Sequence, residues 1–153
     1  MLVLHLSLTF FTMKYFWILL LTLIGILTMS CFPEDNLMGN KWMFHALEND
    51  SPDVATVYAD DACRIHLTFD NNGGFSGFSG WNSYRGKFTN TADAELSMQR
   101  PSATKRAGDR KCKIGEQLFG IFPQVVKYTA VGDSLKLFTN NGQTLVYYCE
   151  TEK

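Results

Sequence analysis

The stretch Arg64-Ile65-His66-Leu67-Thr68-Phe69-Asp70-Asn71-Asn72-Gly73-Gly74 decides the fold. Ile65, Leu67 and Phe69 fall on one face of an extended chain, and Arg64, His66, Thr68 and Asp70 on the other. A period of two predicts a strand with one buried face. Asn and Gly tolerate positive φ, so Asn71-Asn72-Gly73-Gly74 predicts a turn, after which Phe75 to Gly80 restarts the chain.

The same rhythm runs outward in both directions. Trp42, Phe44 and Ala46 alternate with Met43, His45 and Leu47, and a polar stretch, Glu48 to Asp61, follows. Tyr84, Gly86 and Phe88 form another single-face set, and Ala94, Leu96 and Met98 a further short strand. Gln99 to Lys113 breaks the pattern and reads as a basic loop. Within Gly115–Phe122 the spacing of Leu118, Phe119, Ile121 and Phe122 becomes helical, and Pro123 ends it. Val126–Val131 and Leu135–Thr139 flank Gly132-Asp133, where Gly in first place suits a type II′ hairpin. Asn140-Asn141-Gly142 is a second turn, leading to the last strand, Thr144–Cys149. About eight strands and one short helix predict a mainly β fold, a small closed or nearly closed antiparallel barrel. Closure removes the exposed edges that short strands leave. Ile65, Leu67, Phe69, Phe88, Leu96, Phe119, Leu137 and Val146 are the expected core.

Ahead of this pattern, residues 1–30 read as a signal. Met13 and Lys14 precede an uncharged apolar stretch from Tyr15 to Leu27, and Leu27-Thr28-Met29-Ser30-Cys31 closes it. The closing run resembles a bacterial lipobox, with the usual leucine displaced by one position and Thr28 in its place. Cleavage before Cys31 would leave that cysteine to carry acyl chains, each buried methylene adding about 0.8 kcal/mol of membrane affinity. Residues 31–36, with Pro33-Glu34-Asp35-Asn36, form a tether, and residues 37–153 the domain. A start at Met13 would make Met1–Thr12 an artefact of start-site choice. A plain secretion signal is one alternative. An uncleaved helix is another, opposed by Lys14, which interrupts the apolar run.

Removal of residues 1–30 leaves 123 of the 153 residues, enough for one domain with a real core. One base and no acid leave with them, so 13 bases face 15 acids. A near-neutral protein is not built as a whole to hold nucleic acid. Besides Cys31, Cys63, Cys112 and Cys149 allow one disulfide and one unpaired thiol in an oxidising compartment. His45, His66 and the cysteines are too scattered for a zinc site, so no metal or cofactor is expected. Arg100, Lys105, Arg106, Arg110, Lys111 and Lys113 cluster, six of the 13 mature bases. They are a candidate patch for lipid headgroups, lipopolysaccharide, glycan or nucleic acid, or simply a solvated loop. No aromatic residue is interleaved among them, which argues against single-stranded nucleic acid. Phe75-Ser76-Gly77-Phe78-Ser79-Gly80-Trp81-Asn82 does not open a helix as a phosphate cradle would. Its glycines suit a bulge or tight curve, with Phe75, Phe78 and Trp81 packed around it. Ser76, Ser79 and Ser83 lack a nucleophile elbow, and no catalytic set is expected.

The order of these pieces resembles the META domain of HslJ-type heat-shock lipoproteins. Leu37-Met38-Gly39-Asn40-Lys41-Trp42 is similar to its opening strand, and Ser79-Gly80-Trp81-Asn82 to its Ser-Gly-Cys-Asn turn. Tyr84-Arg85-Gly86-Lys87-Phe88 then matches its aromatic–x–Gly–x–aromatic strand. Thr104-Lys105-Arg106-Ala107-Gly108 stands where the family has Thr–x–Met-Ala-Cys, with Glu116 and Phe119 in its short helix and Gly132–Leu137 in its closing hairpin. Trp81 and Gly108 replace two cysteines together, as expected if those two pair. The resemblance implies a small barrel with one helix, an envelope location and a link to stress or drug tolerance. Because the family's Thr–x–Met-Ala-Cys segment pairs with the turn at Trp81, it also implies a Cys63–Cys112 disulfide at that end and an unpaired Cys149 at the other. The resulting expectation is a non-enzymatic protein, lipid-anchored at the outer membrane, that binds an envelope protein or glycan or supports envelope integrity. An inhibitor of a lysozyme or protease, acting through the loop Gln99–Lys113, is the alternative. A carrier of small apolar ligands ranks last, because eight strands leave little interior once Phe and Trp fill it.

Overall fold

The computed structural model describes residues 37–91, 93–106 and 112–150. Residues 1–36 lie outside them, and with them the signal, Cys31 and the tether. The strands are β1 (Lys41–Asn49), β2 (Val57–Tyr58), β3 (His66–Phe69), β4 (Gly74–Phe78), β5 (Ser83–Asn90), β6 (Leu96–Met98) and β7 (Ser102–Ala103). Helix α1 (Lys113–Ile121) follows, then β8 (Val125–Val131), β9 (Ser134–Thr139) and β10 (Gln143–Cys149).

Eight strands follow one antiparallel path, β6-β5-β4-β3-β1-β10-β9-β8. The path nearly closes where Glu95 bridges Lys127 and the Tyr128 N–H donates to the Ala94 carbonyl at 3.0 Å. The predicted barrel is therefore the fold. Two strands were not expected. β2, inside the polar stretch Glu48–Asp61, pairs with β1, and β7, inside the basic loop, pairs with β5. Each has two residues, too few for a period to register.

Trp42, Phe69, Phe75, Phe122 and Tyr147 are fully buried and fill the interior. Of the expected core, Ile65, Leu67, Phe69, Phe88, Leu96 and Leu137 belong to the central cluster. Phe119 is only partly buried and packs against that cluster. Val146 is buried but outside it, because Leu145 and Tyr147 on either side take the inward positions. A second correction concerns β1. The register with β10 skips His45, so Ala46 opposes Val146 and Leu47 turns inward, where strict alternation pointed it out. One bulged residue re-aims every side chain after it.

The glycine-rich run forms no bulge: β4 keeps unbroken register with β3 and β5. Its glycines make room for rings instead. Gly77 opposes Tyr84, and Phe75 opposes Gly86. A Cβ on Gly86 would meet the Phe75 ring at 2.3 Å, and one on Gly77 would meet the Tyr84 hydroxyl at 2.6 Å. Phe75 packs in the core, whereas Phe78 and Trp81 are half-buried and point elsewhere.

The two ends of the barrel are distinct. At the Lys41 end, the Asp70 carboxylate accepts from the Asn72 and Gly74 N–H groups, both at 2.8 Å, and shapes the β3–β4 turn. The β8–β9 turn has positive φ at Gly132 but not at Asp133, as type II′ requires. At the Cys63 end, α1 lays Ile114, Gly115, Leu118 and Ile121 against the core.

Candidate functional site

At the Cys63 end three segments of the chain cross closely. Ser79 Oγ accepts from the Asn82 N–H at 3.1 Å, and the Ser79 N–H donates to the Asn82 carbonyl at 2.9 Å. Gly80 sits in this turn at φ +84°, against the Cys63–Cys112 disulfide. A Cβ there would lie 2.6 Å from Cys112 Cβ and 3.2 Å from Cys63 Cβ. Gly115 of α1 presses on the same turn, its absent Cβ leaving room for the Ser79 carbonyl. Cys63 and Cys112 are bonded with Cα atoms 5.8 Å apart, while Cys149 is free and half-buried at the other end, its N–H donating to the Asp133 carbonyl. Asp60 caps the 3₁₀ turn that delivers Cys63, accepting from the Ala62 N–H at 2.9 Å.

From this anchored turn, three side-chain bonds reach the basic loop. Buried Asn82 accepts through Oδ1 from Thr104 Oγ1 at 3.2 Å and from the Arg106 N–H at 3.0 Å. Trp81 Nε1 donates to the Arg106 carbonyl at 3.1 Å. Between the fixed loop and α1 lies an open cleft of about 820 Å³, lined by Arg100, Lys105 and Arg106 with Asn82, Glu116 and Phe119. Three guanidinium or ammonium groups against one carboxylate make its lining cationic, and the Phe119 ring gives it one apolar wall.

The sequence of residues 35–152 matches the META domain family model. The chain belongs to the META domain family. Among solved structures, an NMR structure of a Burkholderia xenovorans protein matches with TM-score 0.61 and 22% identity. That match covers 76% of this chain and 85% of the other. A crystal structure of a DUF4847-family protein from Bacteroides vulgatus matches with TM-score 0.58 and 10% identity, over 78% and 99% of the two chains. At such identities the likeness is one of fold. No curated protein matches the sequence at significance.

Within this META domain, the Trp81 indole together with Asn82 ties turn to loop by hydrogen bonds. The Cys63–Cys112 disulfide packs against Gly80 of the same turn. Of the six predicted bases, the structure brings Arg100, Lys105 and Arg106 around one cleft. Lys113 is exposed on the first residue of α1, and Arg110 and Lys111 lie outside the described residues.

A second, wider groove, about 920 Å³, lies on the outer wall of β3, β4, β5 and β7. Arg85, Lys87, Ser76, Ser102, His66 and Asp70 help line it. Sequence reading missed it because its charges alternate singly along separate strands. The only signal was the polar phase of each strand. Burial lowers the His66 pKa, which keeps its ring neutral at pH 7.

Proposed function

We propose that this META domain is carried on the bacterial envelope by acyl chains on Cys31 and acts without catalysis, by binding. Its ligand in this reading is an acidic envelope glycan, held at the cleft between the basic loop and α1. The carrying observation is that Arg100, Lys105 and Arg106 project from a loop whose backbone is fixed by Trp81, Asn82 and Thr104. The backbone at Thr104 and Arg106 is held before the ligand arrives, so little of its entropy is lost on binding. Binding of this kind serves envelope integrity under stress.

Calorimetric titration with a bisphosphorylated glucosamine disaccharide tests the proposal. The triple variant Arg100→Glu, Lys105→Glu, Arg106→Glu should weaken binding about tenfold or more, and salt should weaken the wild type. Unchanged affinity in the triple variant would remove the cleft from the account. Acylation is a separate question, answered by the mass of the mature N-terminal peptide. An unmodified peptide spanning Cys31 and upstream residues would end the anchor reading.

The fixed loop also favours a second reading, insertion into the active-site cleft of a lysozyme or protease. That reading predicts inhibition that the same triple variant abolishes. An apolar carrier gains no such support, since Trp42, Phe69, Phe75, Phe122 and Tyr147 occupy the barrel interior.

A further inference from the structure

Cross-strand register assembles a row of side chains that no single strand reveals. Met43 pairs with Tyr148 on one side and with His66 on the other, and His66 pairs with Phe78. These four lie in line across the outer wall of β10, β1, β3 and β4. The row continues beside Met43. The bulged His45 ring stands 5.1 Å from Tyr148 and 5.6 Å from Tyr58, edge to face with both. Phe78 stacks on His66 at 6.3 Å. Tyr58 is 65% and Tyr148 43% exposed, so both rings reach solvent from the same wall.

One step toward the Lys41 end, the next row has the opposite character. Lys41 pairs with Thr68, Thr68 with Ser76, and Ser76 with Arg85. It carries a cation at each end and hydroxyls between. Glu150 accepts from Lys41 and approaches Arg64 at 3.5 Å, so two cations share one carboxylate. Ser76 and Arg85 open into the 920 Å³ groove, where Lys87 adds a further cation.

A band of amphipathic rings beside a band of cations and hydroxyls presents on one wall both kinds of group that a phospholipid headgroup layer engages. Tyrosines settle at headgroup level with the ring toward the acyl side, and cations meet phosphate. Chain length supplies the second argument. Leu37 is buried in the core, and its carbonyl accepts from Trp42 Nε1 at 3.0 Å. The six residues from Cys31 to Leu37 span at most about 20 Å when extended. An acylated Cys31 would keep the barrel near the bilayer at high effective concentration, where weak contacts suffice.

We infer that the wall bearing Tyr58, His45, Tyr148, Met43, His66 and Phe78 docks on the phospholipid bilayer, with a headgroup phosphate in the groove at Arg85 and Lys87. This inference rests on the anchor reading for its geometry. The aromatic row shares no residue with the basic cleft, and the Arg85–Lys87 groove adjoins that cleft through Ala103 and Thr104, so one protein holds membrane and ligand side by side.

The test is photocrosslinking of the processed protein in phosphatidylethanolamine–phosphatidylglycerol vesicles containing a headgroup diazirine lipid. Adducts are expected on Tyr58, His45, Tyr148 and Phe78, and several-fold fewer on Trp81 and Phe119 at the cleft. The variant Tyr58→Ser, Tyr148→Ser, Arg85→Glu changes exposed residues only. It should stay in the vesicles through its acyl chains yet lose most adducts on the wall. Adducts spread evenly, or confined to the cleft, would overturn the docking. So would labelling of the wall by a diazirine oligosaccharide but not by the lipid, which would make it a glycan platform. If the N-terminal mass shows Cys31 unmodified, the anchor reading fails alone. The protein is then added to vesicles from solution, where wall adducts sustain the docking and their absence refutes it.

Discussion

At the Lys41 end of the barrel, turns are made from neighbours in sequence: Asp70 caps its own turn, and Gly132 sets the β8–β9 hairpin. At the Cys63 end, residues far apart converge on Ser79–Asn82. A disulfide spans 49 positions, and side-chain bonds span 22 to 25. Local turns tolerate change because each is satisfied within itself. The long-range crossing fixes surface loops on a rigid frame, the arrangement in which binding residues are usually found.

The largest expected effect tests that contrast through the cysteines. Replacing Cys63 and Cys112 by alanine should cost about 4 kcal/mol in urea unfolding, the chain-entropy value for so long a closure. Cys149→Ala, half-buried at the other end, should cost about 1 kcal/mol or less. Equal losses would abolish the distinction between the ends.

Glycine substitutions sharpen it. A Cβ on Gly115 would stand 1.8 Å from the Ser79 carbonyl oxygen, and one on Gly132 meets nothing within 4 Å. Gly115→Ala should therefore cost about 3 kcal/mol through forced displacement of the turn. Gly132→Ala should cost only the left-handed backbone penalty, about 1 kcal/mol.

Two buried tyrosines between the ends give a smaller contrast. The Tyr84 hydroxyl donates to the His66 carbonyl at 2.8 Å, whereas the buried Tyr147 hydroxyl has no partner among the described residues. Tyr84→Phe should lose about 1 kcal/mol, while Tyr147→Phe should lose nothing or gain a similar amount. Burial pushes both phenols above the ordinary tyrosine value, so neither ionises at neutral pH.

The smallest effect is a pH slope. Burial depresses the His66 pKa below its ordinary 6.5, so the folded state disfavours its proton. As pH falls through about 6.5 the unfolded chain binds that proton first, and stability declines until the folded pKa is passed. His66→Gln should flatten this decline in thermal melts at successive pH values. Asp70 acts lower. The Gly74 and Asn72 N–H groups hold its carboxyl below 3.8, so its contribution is present above that value and is lost as pH falls further.

How much was legible in the sequence follows the same division. β3, its turn and both late hairpins were readable because period and turn chemistry reside in adjacent residues. The inward turn of Leu47 was not, since the bulge at His45 exists only against the register of β10. Nor was the reason for Gly77 and Gly86, whose partners are rings on the facing strand. At the site, the basic cluster was visible as composition. That Asn82 and Trp81 fix it became visible only with the loop folded back. The aromatic row on the outer wall left no sequence trace, because its members come from five strands.

The proposed glycan binding at the Cys63 end can be read residue by residue from backbone amide chemical shifts during titration with the bisphosphorylated disaccharide. The largest changes should fall on residues 81–83, 104–106 and 116–120. Largest changes at Asp70–Gly74, at Gly132–Asp133 or along the wall of Met43 and Tyr148 would contradict it.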